Sequence, residues 1–376
     1  MGKHLVLVGG GHAHLTVLVN LILYVERGHR VTLIGPSPYH YYSGMGPGLL
    51  SGIYRPQGAR FHVKKMAEDR GGVFLEDKVI RIEPLKKILK LLSGNEVAYD
   101  IASFNTGSDV PLSPLVPEEV QNVVAVKPVF NLLKARRHIV EALKQGTMNF
   151  IIIGGGPAGL EITANLWRLV NEAHGKARIM MVAGRKLLGS LPDKVRTKAL
   201  SSLATRDITV IEGAHAKEVI KDEIRLTDGS PHAFDMAFLA LGIQPSLLFR
   251  DSGIPTGQDG GMRVNAFLQS QAHPELFGGG DCISFSEPPL AKVGVYAVRQ
   301  NPILHHNLLA ALEGGDLRAF APQKDYMLIF NMGDGRGLLW KKNFIWEGRL
   351  AFLLKDIIDR KFMKKFQVAG EAGERE

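Results

Sequence analysis

Two short apolar runs in the chain are each followed by a cluster of glycines and then by apolar positions at helical spacing. The first run covers residues 4–8 and the second covers residues 150–153. A short apolar run bounded by turn residues predicts a buried strand, and a repeat of about 3.6 residues predicts an amphipathic helix. We therefore predict two strand–turn–helix units, with their helices at 12–27 and 157–173.

Each unit continues into another apolar segment, at 30–34 in the first unit and at 177–182 in the second. This order of strand, helix and strand is typical of a βαβ unit with parallel strands. The other patterns predict strands at 73–75, 78–83, 87–92, 208–211, 217–220, 223–226, 235–240 and 326–331, and helices at 129–145 and 291–312. We therefore expect an α/β fold with two Rossmann-like dinucleotide-binding domains.

The glycine clusters indicate what the two units bind. Glycine allows a turn so tight that backbone N–H groups approach a pyrophosphate, which then faces the positive end of the following helix. The glycines that match this motif are Gly9 and Gly11 in the first turn, and Gly154, Gly156 and Gly159 in the second. The first turn has His14 at the third glycine position, where we expect its bulk to widen the contact between helix and strand. A glycine-rich turn without a ligand is the plainer interpretation of either turn alone, whereas two turns in one chain favour two bound dinucleotides.

Composition limits the chemistry that is available to the chain. Its 376 residues are enough for two or three domains, and its 45% hydrophobic and 22% charged residues are ordinary for a folded protein. Cys282 is the single cysteine, which excludes an internal disulfide, a CxxC redox pair and a multi-cysteine metal site. We expect no metal and, since no signal peptide precedes the first strand, a cytoplasmic location.

Positive charge is concentrated near the C-terminus. The formal net charge is +9, and residues 341–365 contain eight Lys or Arg and three Asp or Glu. Such an excess is compatible with nucleic acid, an anionic membrane surface or anionic cofactors. The chain has no basic-aromatic RNA-binding pattern and no zinc motif, so we expect no nucleic-acid partner. The longest apolar stretch, 15–25, is too short to span a bilayer.

The same basic segment contains two apolar faces at helical spacing. One face consists of Leu350, Leu353, Leu354 and Ile357, and the other consists of Ile358, Phe362 and Phe366. We expect the first face to dock on the body of the protein. The second face, with Lys361, Lys364 and Lys365, is expected to lie on an anionic bilayer surface, and Trp340 and Trp346 suit such an interface. A terminal helix that packs on the core and leaves its lysines in water is the alternative.

The order of these motifs resembles that of the flavoprotein reductases of the pyridine nucleotide-disulfide oxidoreductase superfamily. The resemblance covers about residues 4–310, and the motifs that carry it are the first glycine turn, Asn105-Thr106-Gly107, the second glycine turn, Ala240-Leu241-Gly242 and Phe277–Asp281. Within that superfamily the chain is most similar to type II NADH:quinone reductases and sulfide:quinone reductases. Gly9–Leu15 and Tyr42–Gly48 are also similar to the NADH-dehydrogenase-like flavoprotein domain that is linked to selenophosphate synthases.

The resemblance implies an FAD-binding domain in two parts, 1–112 and 251–325, with an NAD(P)-binding domain of residues 113–250 inserted between them. Residues 326–376 then form a C-terminal amphipathic segment with a disordered tail. The implied cofactors are FAD on the first domain and NADH or NADPH on the second. The protein supplies their binding and orientation, and the cofactors carry the electrons.

The resemblance also assigns residues to the FAD site. The backbone N–H groups near His12 and Ala13 would face the pyrophosphate, and the Asp281 carboxylate would accept a hydrogen bond from a ribityl hydroxyl. Gly9 and Gly11 would also face the pyrophosphate, Ser43–Pro47 would lie beside the isoalloxazine, and Val79 would flank the adenine. Thr106, Gly107 and Gly280 are the other residues assigned to FAD. The strand at 30–34 lacks the terminal acid that ordinarily binds the adenosine ribose. FAD binding is therefore expected to depend on the glycine turn and Asp281.

On the second domain, the resemblance assigns the nicotinamide nucleotide to the Gly154-Gly156-Gly159 turn and to Gly242. The strand at 177–182 is followed by Arg185 and by no acid, and an arginine there can accept a 2′-phosphate. We therefore expect NADPH to be accepted or preferred, unless Arg185 is a solvated loop charge. Glu161 is expected near the nicotinamide, where it would help to position the cofactor; placement near the positive end of the helix is the alternative.

The missing cysteines limit which acceptor follows the flavin. Disulfide reduction and sulfide oxidation both use cysteines in the enzymes that the chain resembles, so a quinone or another small acceptor remains. Lys292 would lie near flavin N1 and stabilise the reduced ring, and Lys292, Tyr296 and Gln300 would line a quinone pocket. We expect a peripheral enzyme on the cytoplasmic membrane face, with homodimerisation left open. The alternatives are a soluble NAD(P)H-dependent reductase for a protein or small molecule, and an enzyme like sulfide:quinone reductase.

Overall fold

The computed structural model describes residues 2–117, 119–286, 289–323 and 325–374. Its first part alternates strands with short helices. These elements are β1 (His4–Val8), α1 (Leu15–Val19), α2 (Leu21–Glu26), β2 (Arg30–Gly35), β3 (His40–Tyr41), α3 (Gly46–Ser51), β4 (Arg60–Phe61), α4 (Val63–Glu68), β5 (Val73–Glu76), β6 (Val79–Glu83), β7 (Ile88–Leu91), β8 (Glu96–Ala98) and β9 (Ile101–Phe104).

The second part begins with a strand and a helix and contains the second glycine turn between β11 and α6. Its elements are β10 (Val123–Ala125), α5 (Phe130–Ala142), β11 (Met148–Ile153), α6 (Pro157–Glu172), β12 (Ala177–Val182), α7 (Asp193–Ala204), β13 (Thr209–Ile211), β14 (Ala216–Ile220), β15 (Glu223–Leu226), β16 (Pro231–Ala233) and β17 (Met236–Leu239).

The third part contains two long helices with a small antiparallel sheet between them. Its elements are α8 (Leu248–Asp251), β18 (Met262–Val264), β19 (Leu276–Gly278), β20 (Ile283–Phe285), α9 (Gly294–Glu313), β21 (Leu328–Asn331), β22 (Gly337–Lys341), β23 (Phe344–Gly348) and α10 (Arg349–Phe366). The strands β22 and β23 and their hairpin are absent from the sequence-based prediction.

Two five-stranded sheets have equivalent arrangements. Their strand orders are β19-β9-β1-β2-β5 and β10-β17-β11-β12-β13, and the pairings within both are parallel. The strand β19 follows the second sheet in the chain but pairs with β9 of the first sheet, with Phe277 opposite Ser103. The α/β fold with two Rossmann-like domains, the second inserted in the first, is therefore confirmed.

The helix predicted at 12–27 is interrupted. It begins as a 3-10 turn at His12–His14 and continues as α1 and α2, which are separated at Asn20. The Asn20 side-chain amide donates to the Thr16 carbonyl oxygen at 2.8 Å, and the Thr16 N–H donates to Asn301 Oδ1 on α9 at 2.7 Å. Asn301 of α9 thus holds α1 in place just before the helix is interrupted at Asn20. The second predicted helix, 157–173, matches α6 closely.

The expected orientation of the C-terminal helix is wrong. The buried residues of α10 are Ala351, Lys355, Asp359, Met363 and Phe366. Phe362 packs against Tyr42 and Phe61, with ring centroids 4.9 and 6.0 Å apart. The face expected to dock on the body instead points outward, and Leu350 is 62% exposed. The aromatic cluster around Phe61 and the buried polar pair on α10 together fix this orientation.

The outward side of α10 and the neighbouring hairpin form an outer apolar patch. It consists of Phe344, Trp346, Leu350, Leu353, Ile357 and Ile358, all of them exposed. Lys361, Lys364 and Lys365 are exposed on the same helix. No helix in the described ranges is both long enough and apolar enough to cross a membrane.

The described part of the C-terminal tail contacts the body of the protein. Glu371 is 1% exposed, and its Oε1 accepts a hydrogen bond from the His62 N–H at 3.0 Å. Glu374 forms an ion pair with Arg60 at 2.5 Å. The residues at 375 and 376 lie outside the described ranges. Carboxylates of the tail thus attach it to β4 and the loop that follows.

We predict that the two faces of α10 differ in their contribution to stability. Phe366→Ala removes a side chain that is 3% exposed and should lower the free energy of unfolding by about 3 kcal/mol. Ile357→Ala removes one that is 54% exposed and should change it by less than about 0.5 kcal/mol. Urea unfolding of both variants measures the difference, and equal losses would contradict the observed orientation.

Candidate active site

The first glycine turn closes around the side chain of Asn105. Gly9 has a φ of +87°, and a Cβ on it would lie 2.4 Å from the Asn105 carbonyl oxygen. A Cβ on Gly11 would lie 2.2 Å from Asn105 Oδ1. This Oδ1 accepts a hydrogen bond from the Ala13 N–H at 2.9 Å, and Asn105 Nδ2 donates to the Gly279 carbonyl oxygen at 2.5 Å. Both turn positions therefore require glycine.

This arrangement changes one assignment and adds one residue. The Ala13 N–H is directed at Asn105 and not at a ligand, contrary to the expectation that it would face the pyrophosphate. Asn105 itself was not assigned a role, although it stands directly before Thr106 and Gly107 in a motif of the resemblance. A buried side-chain amide after a strand was the available signal, because such a group must find partners.

His14 bridges the first turn and the neighbouring strand. Its Nδ1 donates to the Gly9 carbonyl oxygen at 2.6 Å, which leaves Nε2 to accept from the Ser103 hydroxyl at 2.8 Å. Burial lowers the pKa of His14 to about 4, so the imidazole is neutral. We expected the bulk of His14 to widen the contact between helix and strand. Its ring instead forms a hydrogen bond to each side of that contact.

Asp281 lies in a second tight turn, at Gly280–Cys282. Gly280 has a φ of +76°, and a Cβ on it would lie 2.6 Å from Asn105 Nδ2. The Ser108 hydroxyl donates to Asp281 Oδ2 at 2.8 Å, and the Lys127 ammonium donates to the same oxygen at 2.7 Å. Asn105 therefore places the Asp281 turn next to the first glycine turn.

The three residues expected to line a quinone pocket have other contacts. Gln300 is 2% exposed, and its Oε1 accepts the Gly280 N–H at 2.7 Å, so it holds the Asp281 turn. The Lys292 ammonium donates to the Ile283 carbonyl oxygen at 2.6 Å and to Asp259 Oδ2 at 2.8 Å. Tyr296 is half-buried, and its hydroxyl lies 3.4 Å from the Gln323 carbonyl oxygen. Within the described residues, the three side chains are thus bound to three different backbone segments.

The loop assigned to the isoalloxazine runs from Ser43 to Pro47 and leads into α3. A Cβ on Gly294, the first residue of α9, would lie 3.7 Å from Ser43 Oγ, so this loop adjoins the helix that holds Gln300. The Lys355 ammonium of α10 donates to the Gly44 carbonyl oxygen at 2.8 Å. Of the remaining residues assigned to FAD, Val79 is buried at the start of β6 and Thr106 is exposed.

The charges of Lys355 and Asp359, which contact the loop and Tyr42, also act electrostatically on Glu161 of the second domain. Asp359 accepts hydrogen bonds from the Tyr42 hydroxyl at 3.1 Å and from the Lys355 ammonium at 2.7 Å. Glu161 Oε1 accepts the Asn331 N–H at 2.7 Å. Burial raises the pKa of Glu161 to about 7, although Lys355 and the Asn331 N–H act in the opposite direction.

The apolar periodicity of α10 does not predict its buried ion pair. Lys355 and Asp359 are four residues apart, and both are nearly fully buried. A Lys–Asp pair at this spacing beside apolar positions was the available signal, although most such pairs are solvated. Burial lowers the pKa of Lys355, but Glu161 and Asp359 together raise it above its ordinary value.

The second glycine turn opens on a cavity of about 420 Å³. Gly154 has a φ of +131°, a Cβ on it would lie 2.2 Å from the Ala240 carbonyl oxygen, and a Cβ on Gly159 would lie 1.9 Å from the Gly154 carbonyl oxygen. Gly156 and Gly242 instead face open space and line the cavity. Gly154 and Gly159 thus shape the turn, and Gly156 and Gly242 leave room for a ligand.

Arg185 lies just beyond this cavity. It is exposed and follows Gly184, which lines the cavity together with His215. A Cβ on Gly184 would lie 3.0 Å from the His215 ring, so the imidazole stands beside the end of β12. The next cation, Lys186, is occupied by Asp193 at 2.7 Å. His215 was not identified from the sequence, which shows no motif around it.

The residues around the first turn fit a bound dinucleotide. The glycine positions exclude side chains from the turn, and Asp281 offers a carboxylate at its rim. His12 and His40 have ring centroids 4.8 Å apart, and the buried Nε2 atoms of both lack a hydrogen-bond partner among the described residues. Buried nitrogens of this kind need a partner, and a ligand in this site would supply one. No cluster of His, Cys, Asp or Glu within the described ranges could hold a metal ion.

Residues 3–300 match the profile of the family described as pyridine nucleotide-disulphide oxidoreductase. The chain belongs to this family. Its members' two-dinucleotide architecture agrees with the two sheets and two glycine turns, and the protein is an oxidoreductase that uses FAD and NAD(P)H. The resemblance inferred from the motifs is thereby confirmed.

Individual relatives are distant but cover much of the chain. It is 25% identical to ferroptosis suppressor protein 1 of Taeniopygia guttata over 315 residues, 80% of each chain. It is 22% identical to the mitochondrial internal alternative NAD(P)H-ubiquinone oxidoreductase A1 of Arabidopsis thaliana, over 53% of this chain and 44% of that protein. The structure of NDH2 from Plasmodium falciparum in complex with NADH has a TM-score of 0.81, with 14% identity and 98% of both chains covered. That likeness shows the fold.

We predict that Glu161 makes stability depend on pH. Its pKa rises from an ordinary 4.5 to about 7 on folding, so folding favours the protonated form. The stabilisation is complete below about pH 4.5 and is lost as the pH rises through 7. The wild type should therefore lose stability relative to Glu161→Gln between pH 5 and pH 8.

Urea unfolding of both proteins at pH 5, 6, 7 and 8 measures this difference. Glu172→Gln, on the same helix, is the matched control, because that carboxylate is 58% exposed in its ion pair with Arg168. Curves for the wild type and Glu161→Gln that run parallel across this range would contradict the prediction.

Proposed function

We propose that this enzyme takes electrons from NAD(P)H and passes them through FAD to a quinone at a membrane surface. The main support is the position of α10. Its inner face contacts the isoalloxazine loop through Lys355 and the Gly44 carbonyl oxygen, and its outer face carries the outer apolar patch. A lipid-soluble acceptor would thus reach the flavin from the side that is suited to a bilayer.

The overall reaction converts NAD(P)H, a proton and a quinone into NAD(P)⁺ and a quinol. FAD held at the Gly9–Gly11 turn would supply the two-electron redox chemistry that links the nicotinamide to the acceptor. The protein holds the two glycine turns in fixed positions, and Glu161 lies on the second turn of α6 after the nicotinamide-binding glycines. We propose that Glu161 positions the nicotinamide ring, which its carboxyl can approach from the second domain.

Sulfur chemistry has less support. Cys282 is the single cysteine of the sequence and is completely buried, with its thiol directed at the Phe104 and Gly279 carbonyl oxygens. Burial raises the pKa of the Cys282 thiol, which opposes formation of the reactive thiolate. A quinone needs no cysteine, so it is the better supported acceptor.

Anaerobic spectroscopy tests the proposal. The purified protein should show bound flavin absorbance that is bleached by NADH or NADPH and restored by a water-soluble ubiquinone analogue. A flavin that is reduced by NAD(P)H but is reoxidised only by ferricyanide or a protein acceptor would favour the soluble reductase. A protein that binds no FAD would contradict the proposal as a whole.

We predict that the outer apolar patch binds anionic membranes. Leu353→Ser and Ile357→Ser together replace two side chains that are 50% and 54% exposed, and the pair should reduce co-sedimentation with phosphatidylglycerol vesicles severalfold. Leu85→Ser is the matched control, since Leu85 is 94% exposed on a different surface. Equal sedimentation of the wild type, the double variant and the control would argue that the patch does not contact lipid. The location on the cytoplasmic face of the membrane stays part of the proposal.

We predict that Arg185 favours NADPH over NADH by binding the 2′-phosphate of NADPH. Arg185→Ala should raise the KM for NADPH about tenfold or more, which corresponds to a charge-assisted hydrogen bond of about 1.5–3 kcal/mol, and should leave the KM for NADH nearly unchanged. Lys186→Ala is the control, because Asp193 already occupies that ammonium. Equal effects of Arg185→Ala on both nucleotides would identify Arg185 as a solvated loop charge.

A further inference from the structure

Asp281, the carboxylate assigned to the flavin site, is paired with a lysine of the other domain. The Lys127 ammonium lies 2.7 Å from Asp281 Oδ2 and 3.0 Å from Ser108 Oγ. Ser108 in turn donates to the same carboxylate oxygen at 2.8 Å. The side chains of Lys127 and Asp281 are 26% and 14% exposed. The three groups form a partly buried triangle with one positive and one negative charge.

The backbone around Lys127 is held in place from both sides. Lys127 lies between β10 and α5, and the Asn131 side-chain amide donates to the Ala125 and Lys127 carbonyl oxygens at 3.1 and 3.4 Å. A Cβ on Gly46, at the start of α3, would lie 3.4 Å from Val129 Cγ1. Lys127 is thus held against the Asp281 turn, and Val129, two residues further on, packs beside the start of α3.

The charge of Lys127 also acts on His12 in the first glycine turn and on the neighbouring His40. Burial lowers the pKa of His12 to about 4, and the Lys127 ammonium contributes to this lowering. Burial, His12 and Lys127 likewise hold the pKa of His40 well below its ordinary value. The ammonium therefore shares one weakly screened region with Asp281 and with the two imidazoles whose Nε2 atoms lack partners.

Lys292, the lysine to which the sequence assigned a charge on the flavin, is less suited to that role. Its ammonium lies between Asp259 and the Ile283 carbonyl oxygen. It comes from the segment before α9 and does not contact Asp281 in the described structure. Lys127 is the lysine that does, although 154 positions separate it from Asp281 in the chain.

We propose that Lys127 sets the reduction potential of the bound flavin, with its ammonium held by Asp281 and Ser108 beside the redox-active ring. When NAD(P)H gives up two electrons and one proton and becomes NAD(P)⁺, the flavin gains one negative charge. A fixed ammonium nearby stabilises that charge without reorganisation. The charge disappears again when two electrons and the proton pass to the acceptor. The proposal rests on the proposed FAD site at the Gly9 turn.

Reduction potentials of the purified holoenzyme test this role independently of turnover. Lys127→Met should make reduction less favourable by at least tenfold in its equilibrium constant, which is about 30 mV for two electrons. Lys127→Arg keeps the charge and should stay within threefold of the wild type. Asp281→Asn leaves the ammonium unbalanced and should shift the equilibrium in the opposite direction, towards reduction. A purely structural role of Lys127 predicts no difference in potential that follows the charge of residue 127.

Two further lysine variants complete the design. Lys198→Met removes one charge from an exposed ion pair with Glu347 and should leave the potential unchanged. Lys292→Met examines the rival lysine and should shift the potential less than Lys127→Met does. A potential in Lys127→Met equal to that in Lys198→Met, or a larger shift in Lys292→Met, would overturn the proposal.

Loss of cofactor would not obscure the result. If Lys127→Met releases its FAD, then Asp281→Asn and Lys127→Arg decide the case, and an unshifted potential in Asp281→Asn overturns the role of Lys127. Absence of FAD from the wild type would instead contradict the proposed FAD site. Normal FAD binding and reduction by NAD(P)H, with an unmoved potential in all variants, would remove only the inference on Lys127.

Discussion

The side-chain amide of Asn105 is the interaction on which the first site depends. One donor and one acceptor join two turns that are far apart in the chain, at Ala13 and at Gly279. Both turns have glycine where a Cβ would collide with Asn105, and this leaves only backbone at the point of closest approach. Because the two segments belong to the two parts of a split domain, this amide also connects the chain before the inserted domain to the chain after it.

The C-terminal helix adds a second constraint. Because Lys355 and Asp359 are buried, each charge requires a close partner. The two side chains bind each other, Lys355 also donates to the Gly44 carbonyl oxygen, and Asp359 also accepts from the Tyr42 hydroxyl. A buried ion pair contributes little net stability compared with apolar residues, but it penalises any other orientation of the helix strongly. The pair therefore explains why α10 presents Leu350 and its neighbours to the outside.

The features that the sequence predicts are local ones. Strand, glycine turn and helix follow one another directly, so β11, Gly154 and α6 are recognised from spacing alone, and the two-domain fold follows from their repetition. The orientation of α10, the contact of His14 with Ser103 and the pairing of Lys127 with Asp281 depend on residues that are far away in the chain. Periodicity shows that α10 has apolar faces, but both of its faces are apolar, so the pattern does not decide which one is buried.

Charge around the two nucleotide sites is shared between domains, and this has a consequence for coupling. Lys355 of α10 acts on Glu161 of the second domain as well as on Asp359. The ionisation of Glu161 thus depends on how α10 is seated, and α10 also carries the patch that faces outward. A change in seating at the outer patch would alter the field at Glu161 through Lys355, without any contact between that patch and the nucleotide. The outer side of α10 and Glu161 of the second domain are therefore linked by one buried ammonium.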